Sequence, residues 1–421
     1  LREKENDIRD EILKLWPPEL QLVFQGKQAF KKNGEPTANY LRHIEAYERV
    51  ELNNSGGYNC FDFVAFNIGS PPQRVERLLE LGWEPREFTK ETAKGGGGNP
   101  KVTDKGRLVP SLEEFVEESE HPGPRLIATW IEYNARANMI NTWMEAYDHS
   151  TGCIHGSLWL ANTHRYRHSN PNTANIPAVR VDDEKHPLKK EAGVFTYEAR
   201  DLWVTRDRKR RRMVGVDAKG IQLRILAHYL GSTAFTEAVL SKDPHAANQK
   251  EMDLPTRAIA KTIIYAILMG AGDGRISKEA KVSLKEAKRH KATFFSKVPV
   301  KPLMDRLKAE LAKTGRIKLC DGTPIVVSSN HMVIPYLLQG DESKIMKRAM
   351  LTIAGMCRRE RIDAIQVGMI HDELQFDVLE EHVDRFIEIC LVAFEEAGKF
   401  FNYNVPIEGD AKIGFTWAET H

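Results

Sequence analysis

Charges alternate with Ile8, Ile12, Leu13 and Leu15 through LREKENDIRDEILKLW, a turn-spaced pattern that predicts a helix over residues 1–25. From Lys27 to Gly57 the chain turns polar, with a GEP turn and an NNSGG cluster, and is expected as an exposed loop or insertion. PPQRVERLLELGW predicts a short helix ending at Gly82, GGGG at 95–98 a flexible loop tip, and a helical pattern returns from Pro124 to Met144. Residues 152–216 alternate between strand-like and loop-like and end in the run MVGVD. Helices are expected over 219–230 and over 255–269, the second opened by Pro255 and closed by GAGDG. Residues 276–315 read as lysine-rich helices, LCDGTPIVV as a hairpin on Asp-Gly, and 337–359 as a long helix. IQVGMI and LQFDVL flank HDE as two strands, and the chain from Asp384 reads as one helix plus a tail. There is no internal repeat.

A length of 421 residues exceeds one ordinary domain and predicts two or three subdomains, with 41% hydrophobic residues to fill their cores. Charged residues make up 29% at a net charge of only +2, so overall charge decides nothing about nucleic-acid partners. The five cysteines (Cys60, Cys153, Cys320, Cys357, Cys390) are scattered and form no CxxC pair, which argues against a zinc site or a disulfide scaffold and fits a reducing compartment. No apolar run reaches the roughly 20 residues of a membrane span, so no membrane partner is expected. The chain opens at Leu1 without a leader pattern; a start at Leu rather than Met fits a fragment.

Two short motifs place a carboxylate at the end of an apolar strand. In VGVDAKGIQLR, Asp217 stands between a strand and a helix; in MIHDELQFDV, Asp372 and Glu373 stand at a hairpin tip. Hard carboxylate oxygens are what Mg²⁺ prefers, and two ions about 4 Å apart can serve phosphoryl transfer. Either motif alone is equally a helix cap or a solvated turn. Between them lies PTRAIAKTIIYAILMGAG, where Arg257, Lys261, Tyr265 and Met269 are each four apart and so share a helix face. Two cations followed by an aromatic suit a nucleoside triphosphate, although cations four apart are also common on surface helices.

Taken in order, these motifs resemble those of the family A, polymerase I-like DNA polymerases, with closest likeness to the replicative enzymes of short-tailed bacteriophages. The family's D-x-S-x-x-E-L-R appears as Asp217-AKGIQLR, its second motif as Arg257-x₃-Lys261-x₃-Tyr265-x₃-Met269-Gly270, and its third as His371-Asp372-Glu373. THRYRHSNPNTANIP is similar to the T-G-R…P-N-L-Q-N-I-P segment through Arg165, Asn172 and Asn175; EARDLW to R-x-x-F through Arg200; DPHAANQ to D-x-H-x-x-x-A through His245; and LLQ supplies Gln339. The tail GDAKIGFTWAETH resembles the phage branch's C-terminus and fits a natural chain end. The likeness is strong from about residue 150, weaker over 60–150 and vague before that.

The resemblance implies an α+β right-hand fold: a thumb region with a polar insertion over 1–148, palm over 149–231, fingers over 232–335 and palm again over 336–421. It implies template-directed, primer-dependent DNA synthesis from dNTPs with two Mg²⁺ ions. Asp217, Asp372 and the Ala218 backbone carbonyl would hold metal, with Glu373 nearby. Arg257, Lys261, Tyr265, His245 and Gln222 would bind nucleotide, Lys261 also protonating pyrophosphate. Arg165, Gln339, His371, Asn172 and Arg200 would meet DNA. Primer-template DNA is the implied partner, the thumb region leaves room for a processivity factor, and the implied location is cytoplasmic, that of the host cell for a phage enzyme. No D-x-E stands on a strand ahead of the thumb, so proofreading is not expected of this chain alone.

Four positions depart from the family pattern: Gln222 replaces Glu at the sugar pocket, Met269 replaces Tyr, His164 replaces Gly, and Pro335 stands where Asn is frequent. Glutamine nearly matches glutamate in shape, so exclusion of ribose is expected to persist and Gln222→Glu to change little. Two other readings compete. A single-subunit phage-type RNA polymerase shares the palm, the basic helix and even G-I-Q, but carries Ser where Glu373 stands and lacks the N-P-N-x-x-N-I-P segment. A catalytically inactive DNA-binding module has no need of Asp217, Asp372, Arg257 and Lys261.

Overall fold

The computed structural model describes residues 2–89, 98–104, 107–176, 196–241, 249, 254, 256–280 and 282–420. His245, Pro177, Pro255 and most of the GGGG tip lie outside these residues. The chain divides into two compact units, Leu1–Glu145 and Ala146–His421.

In the first unit, α1 (Arg2–Leu15) lays Ile8 and Ile12 into a core with Leu78, Trp83, Leu112 and Ile127. The expected helix over 1–25 stops at Leu15, because Pro17 and Pro18 cannot continue it. The next element is a strand, β1 (Glu19–Gly26). The polar stretch expected as loop also contains regular structure: α2 (Ala38–Ala46), whose N-cap Thr37 accepts from the Tyr40 amide at 3.2 Å, and β2 (Arg49–Leu52). With β3 (Tyr58–Val64) these strands form an antiparallel sheet of order β1–β3–β2. Seven of the eight residues of β1 are exposed, so its sequence carries little of the one-sided alternation that marks a strand. The helices α3 (Pro71–Glu80), α4 (Pro110–Glu118) and α5 (Pro122–Glu145) complete the unit.

The second unit opens with a two-residue pairing of Tyr147–Asp148 with Cys153–Ile154, followed by a hairpin, β4 (Ser157–Leu160) and β5 (Tyr166–Ser169), and a short helix α6 (Thr196–Asp201). Then come β6 (Arg211–Ala218), α7 (Ile221–Leu230) and α8 (Thr233–Leu240). Helices α9 (Arg257–Leu268), α10 (Asp273–Ala280), α11 (Leu284–Lys297) and α12 (Val300–Thr314) are followed by a small hairpin of Arg316–Lys318 with Pro324–Val326. The long α13 (Val333–Glu360) runs through the expected boundary at 335/336 without a break. Pro335 fits because it lies in the first turn, where no amide donor is required. The chain ends with β7 (Ala364–Ile370), β8 (Glu373–Leu379), α14 (Val383–Phe400) and β9 (Gly409–Gly414). The tail is thus a strand rather than an appendage: the central sheet has the order β7–β8–β6–β9, all antiparallel. Val214, Val216, Leu374, Phe376 and Val378 of this sheet are buried together with Ile345 and Met346 of α13.

Candidate active site

Strand pairing brings the two acidic motifs together. Along β6, Val214, Val216 and Ala218 are buried while Asp217 faces the other way and stays open to solvent on one side. Asp217 pairs in register with Glu373 on β8 and with Asp410 on β9. The β7–β8 hairpin turns through His371 and Asp372, with His371 in the left-handed region at φ 58°, and the Ala218 amide donates to the Asp372 carbonyl at 2.9 Å. Both aspartates therefore stand at adjoining strand ends. The Asp217 carboxyl is pushed up to about 7, first by the protein around it and then by the carboxylates of Asp372, Glu373 and Asp410, against a weaker pull from Lys412. Its open side does not reverse that direction, because enclosure and like charge act together.

Glu373 is held differently. It is 5% exposed, and its Oε1 accepts from Trp417 Nε1 at 2.6 Å and from Gln375 Nε2 at 2.5 Å. Gln375 in turn accepts from Thr420 at 3.0 Å, so residues just beyond β9 anchor this carboxylate. Gly215 makes room: a Cβ there would meet the Gln375 amide and Thr420. Arg200, expected at the DNA, lies instead in this cluster. It is 4% exposed and stacked 4.6 Å over the Trp417 ring, and the charge it feels is that of Glu373. The enclosed guanidinium lies within the electrostatic reach of Glu373.

The basic helix forms as its spacing predicts. Thr256 caps α9, accepting from the Ile259 amide at 3.2 Å. Ala260, Ile263, Ile264 and Ile267 face the core; Arg257 and Lys261 are exposed, and Tyr265 is half-buried. The Tyr265 hydroxyl is pushed up to about 12, by burial and then by Asp372, Asp217 and Glu342, so this helix face looks toward the acidic strand ends. Gly270, at φ 74°, ends the motif where a Cβ would strike the His331 carbonyl. Gln339 on α13 donates to the Met269 sulfur at 3.5 Å, which gives the departure from Tyr a contact of its own.

Sequence reasoning missed Glu342. It is fully buried on α13, one turn beyond Gln339, and Oε2 accepts from Arg165 at 2.5 Å and from Gln222 Nε2 at 2.7 Å. Burial pushes its carboxyl up, Arg165 pulls it down, and Asp372 adds to the rise. A signal was available: Asp341 and Glu342 are a carboxylate pair between the apolar residues Leu337, Leu338, Ile345 and Met346 of LLQGDESKIM. Ser343 and Lys347 donate to the His164 carbonyl at 2.6 and 2.5 Å, so the same helix grips the turn that carries Arg165. His164 sits at φ 60°, a left-handed conformation that accounts for the family's glycine there. Asn172 is exposed and caps its own turn, Oδ1 accepting from the Ala174 amide at 3.1 Å. His371 is pushed down to about 4 by burial, Arg165 and His168, and is therefore a neutral imidazole near pH 7.

Sheet order, acidic hairpin tip and basic helix together are those of the α+β right-hand polymerase fold. More narrowly, the chain belongs to DNA polymerase family A, whose model matches residues 43–419. It is similar to the DNA-directed DNA polymerases of Enterobacteria phage T3 and Escherichia phage T7, each 28% identical over an alignment of 403 positions that covers 86% of this chain and 54% of the relative. DNA polymerase I of Helicobacter pylori strain 26695 is 26% identical over 85% of this chain and 38% of its own length. The chain thus spans about half the length of its phage relatives. In fold it matches the POL domain of Pol1 from M. smegmatis, solved in complex with DNA primer-template and dNTP. The TM-score is 0.68 at 21% identity, over 85% of this chain and 62% of that one.

Proposed function

We propose that this chain extends a DNA primer on a template by nucleotidyl transfer from dNTPs. The observation that carries the reading is the convergence of Asp217 and Asp372 on adjoining strand ends. Burial and then neighbouring carboxylates push Asp217 up to about 7, and oxygen-only donors with an open side suit a hard cation that keeps some of its waters. Mg²⁺, two ions in this reading, would be held by Asp217, Asp372 and the Ala218 carbonyl, and would supply activation of the primer 3′-hydroxyl and stabilisation of the leaving oxygen.

The remaining roles fall to side chains. Arg257 and Lys261 project from α9 as exposed cations on one face and bind the triphosphate; Lys261 passes a proton to the departing pyrophosphate. Tyr265 packs on the incoming sugar and base, and Gln222 bounds the sugar. Arg165, Gln339 and neutral His371 face the primer terminus from the minor groove, where purine N3 and pyrimidine O2 acceptors recur in every correct pair. Asn172 meets the strand with its exposed amide. Glu373 orients the hairpin tip from behind, with Arg200 as its partner. His245 keeps the triphosphate role that the sequence resemblance implies. Primer extension with dNTPs against NTPs, with and without primer, tests this reading. It is expected to yield primer-dependent DNA, and primer-independent RNA would overturn it in favour of the RNA polymerase alternative.

A further inference from the structure

Among the described residues, one buried carboxylate joins the proposed sugar-side residue to the proposed minor-groove residue. Glu342 is 0% exposed, and a single oxygen, Oε2, accepts from both Arg165 and Gln222. A carboxylate can only accept, so the Gln222 amide must present its nitrogen to Glu342 and its oxygen away from it. Gln222 Oε1, Glu342 Oε1 and Arg165 Nε are all buried without a hydrogen-bond partner among the described residues. Two reaction-site residues feel the same charge: Tyr265 and Asp372 both lie in the field of Glu342.

We propose that Glu342 is a positioning residue for nucleotide selection, fixing the orientation of Gln222 beside the sugar pocket and tying it to Arg165. The inference rests on the polymerase reading of this site. The bond to Glu342 uses one of the two hydrogens on Gln222 Nε2 and holds the amide in one orientation, so the excluding bulk of Gln222 stays fixed beside the sugar. Because Arg165 shares the oxygen, a primer terminus that displaces Arg165 also loosens Gln222.

This arrangement makes a reciprocal demand: one carboxylate and one amide must occupy the two positions. Gln222→Glu alone sets two carboxylates against each other in a buried place, and Glu342→Gln alone keeps an accepting oxygen but removes the charge paired with Arg165. The double variant Gln222→Glu/Glu342→Gln restores one carboxylate and one amide. The experiment is primer extension from a matched terminus, reading kcat/KM for dATP and for ATP in the parent, both single variants and the double, with Tm measured for each. Each single variant is expected to lose about 10-fold or more in dATP kcat/KM and to lower the dATP-to-ATP ratio, and the double to recover both to within about 3-fold of the parent. Losses that simply multiply in the double contradict the proposal, as do singles that shift Tm while leaving the dATP-to-ATP ratio at the parental value. A double variant that folds no better than singles that fail to fold contradicts it too. An inactive parent would instead count against the polymerase reading itself.

Discussion

The charges at the strand ends set two expectations residue by residue. Asp217 is an acid whose folded pKa, about 7, lies above its ordinary 3.8. The folded metal-free protein therefore retains a proton that the unfolded chain has released, so this group favours folding at low pH. That contribution is complete below about pH 4 and is lost as pH rises through about 7. Metal-free protein should accordingly show a Tm that falls across this window, by a step that Asp217→Asn removes; parallel Tm profiles for parent and variant would contradict the placement. Lys261 bears on the triphosphate. Lys261→Ala should raise the apparent Kd for dNTP and slow single-turnover incorporation by roughly 10²–10³-fold, a loss of about 2–4 kcal/mol for one charge-assisted contact. Unchanged single-turnover kinetics would remove Lys261 from the proposed role. Glu342 also reverses an expectation drawn from sequence. Gln222→Glu looks nearly neutral by shape, but a carboxylate there would face the buried Glu342 carboxylate and should be one of the more damaging changes in the site.

The elements show why some of the molecule was readable from sequence and some was not. Helix α9 announces itself because one side is packed and the other is not, which writes a period of 3.6 into the sequence, whereas the β7–β8 hairpin shows as two short apolar runs flanking HDE, with β8 buried on both faces. Glu342, Arg200 and Trp417 carry no such mark, since their partners lie far off along the chain; Arg165 and Glu342 are 177 positions apart. The sheet of the first unit failed for the opposite reason: β1 is exposed on both faces, and a strand without a buried face has no alternation to read. The tail was legible as a family-like segment but not as β9, because its pairing with β6 is long-range. That strand and the turn after it give the third expectation. Trp417→Phe removes the donor to Glu373 and leaves a buried carboxylate with one fewer partner. Stability should fall by about 1–3 kcal/mol and extension should slow, while Kd for primer-template stays within about threefold. Loss of DNA affinity with full catalytic rate would place Trp417 in DNA contact instead.

Over the whole molecule, two units with separate cores divide the work unequally. All the described candidate residues, from Arg165 to Glu373, belong to the unit Ala146–His421, whose sheet and helices α7, α9 and α13 converge on the acidic strand ends. Every proposed role depends on one claim, that Asp217 and Asp372 form the reaction centre. The direct measurement is primer extension in Mg²⁺ by the parent, Asp217→Asn and Asp372→Asn, with primer-template binding followed in parallel. DNA affinity draws on many phosphate contacts and the reaction on these two carboxylates. Extension should therefore fall by at least about 10³-fold in each variant while Kd for primer-template changes by less than about threefold. Near-parental turnover by either variant would contradict the account.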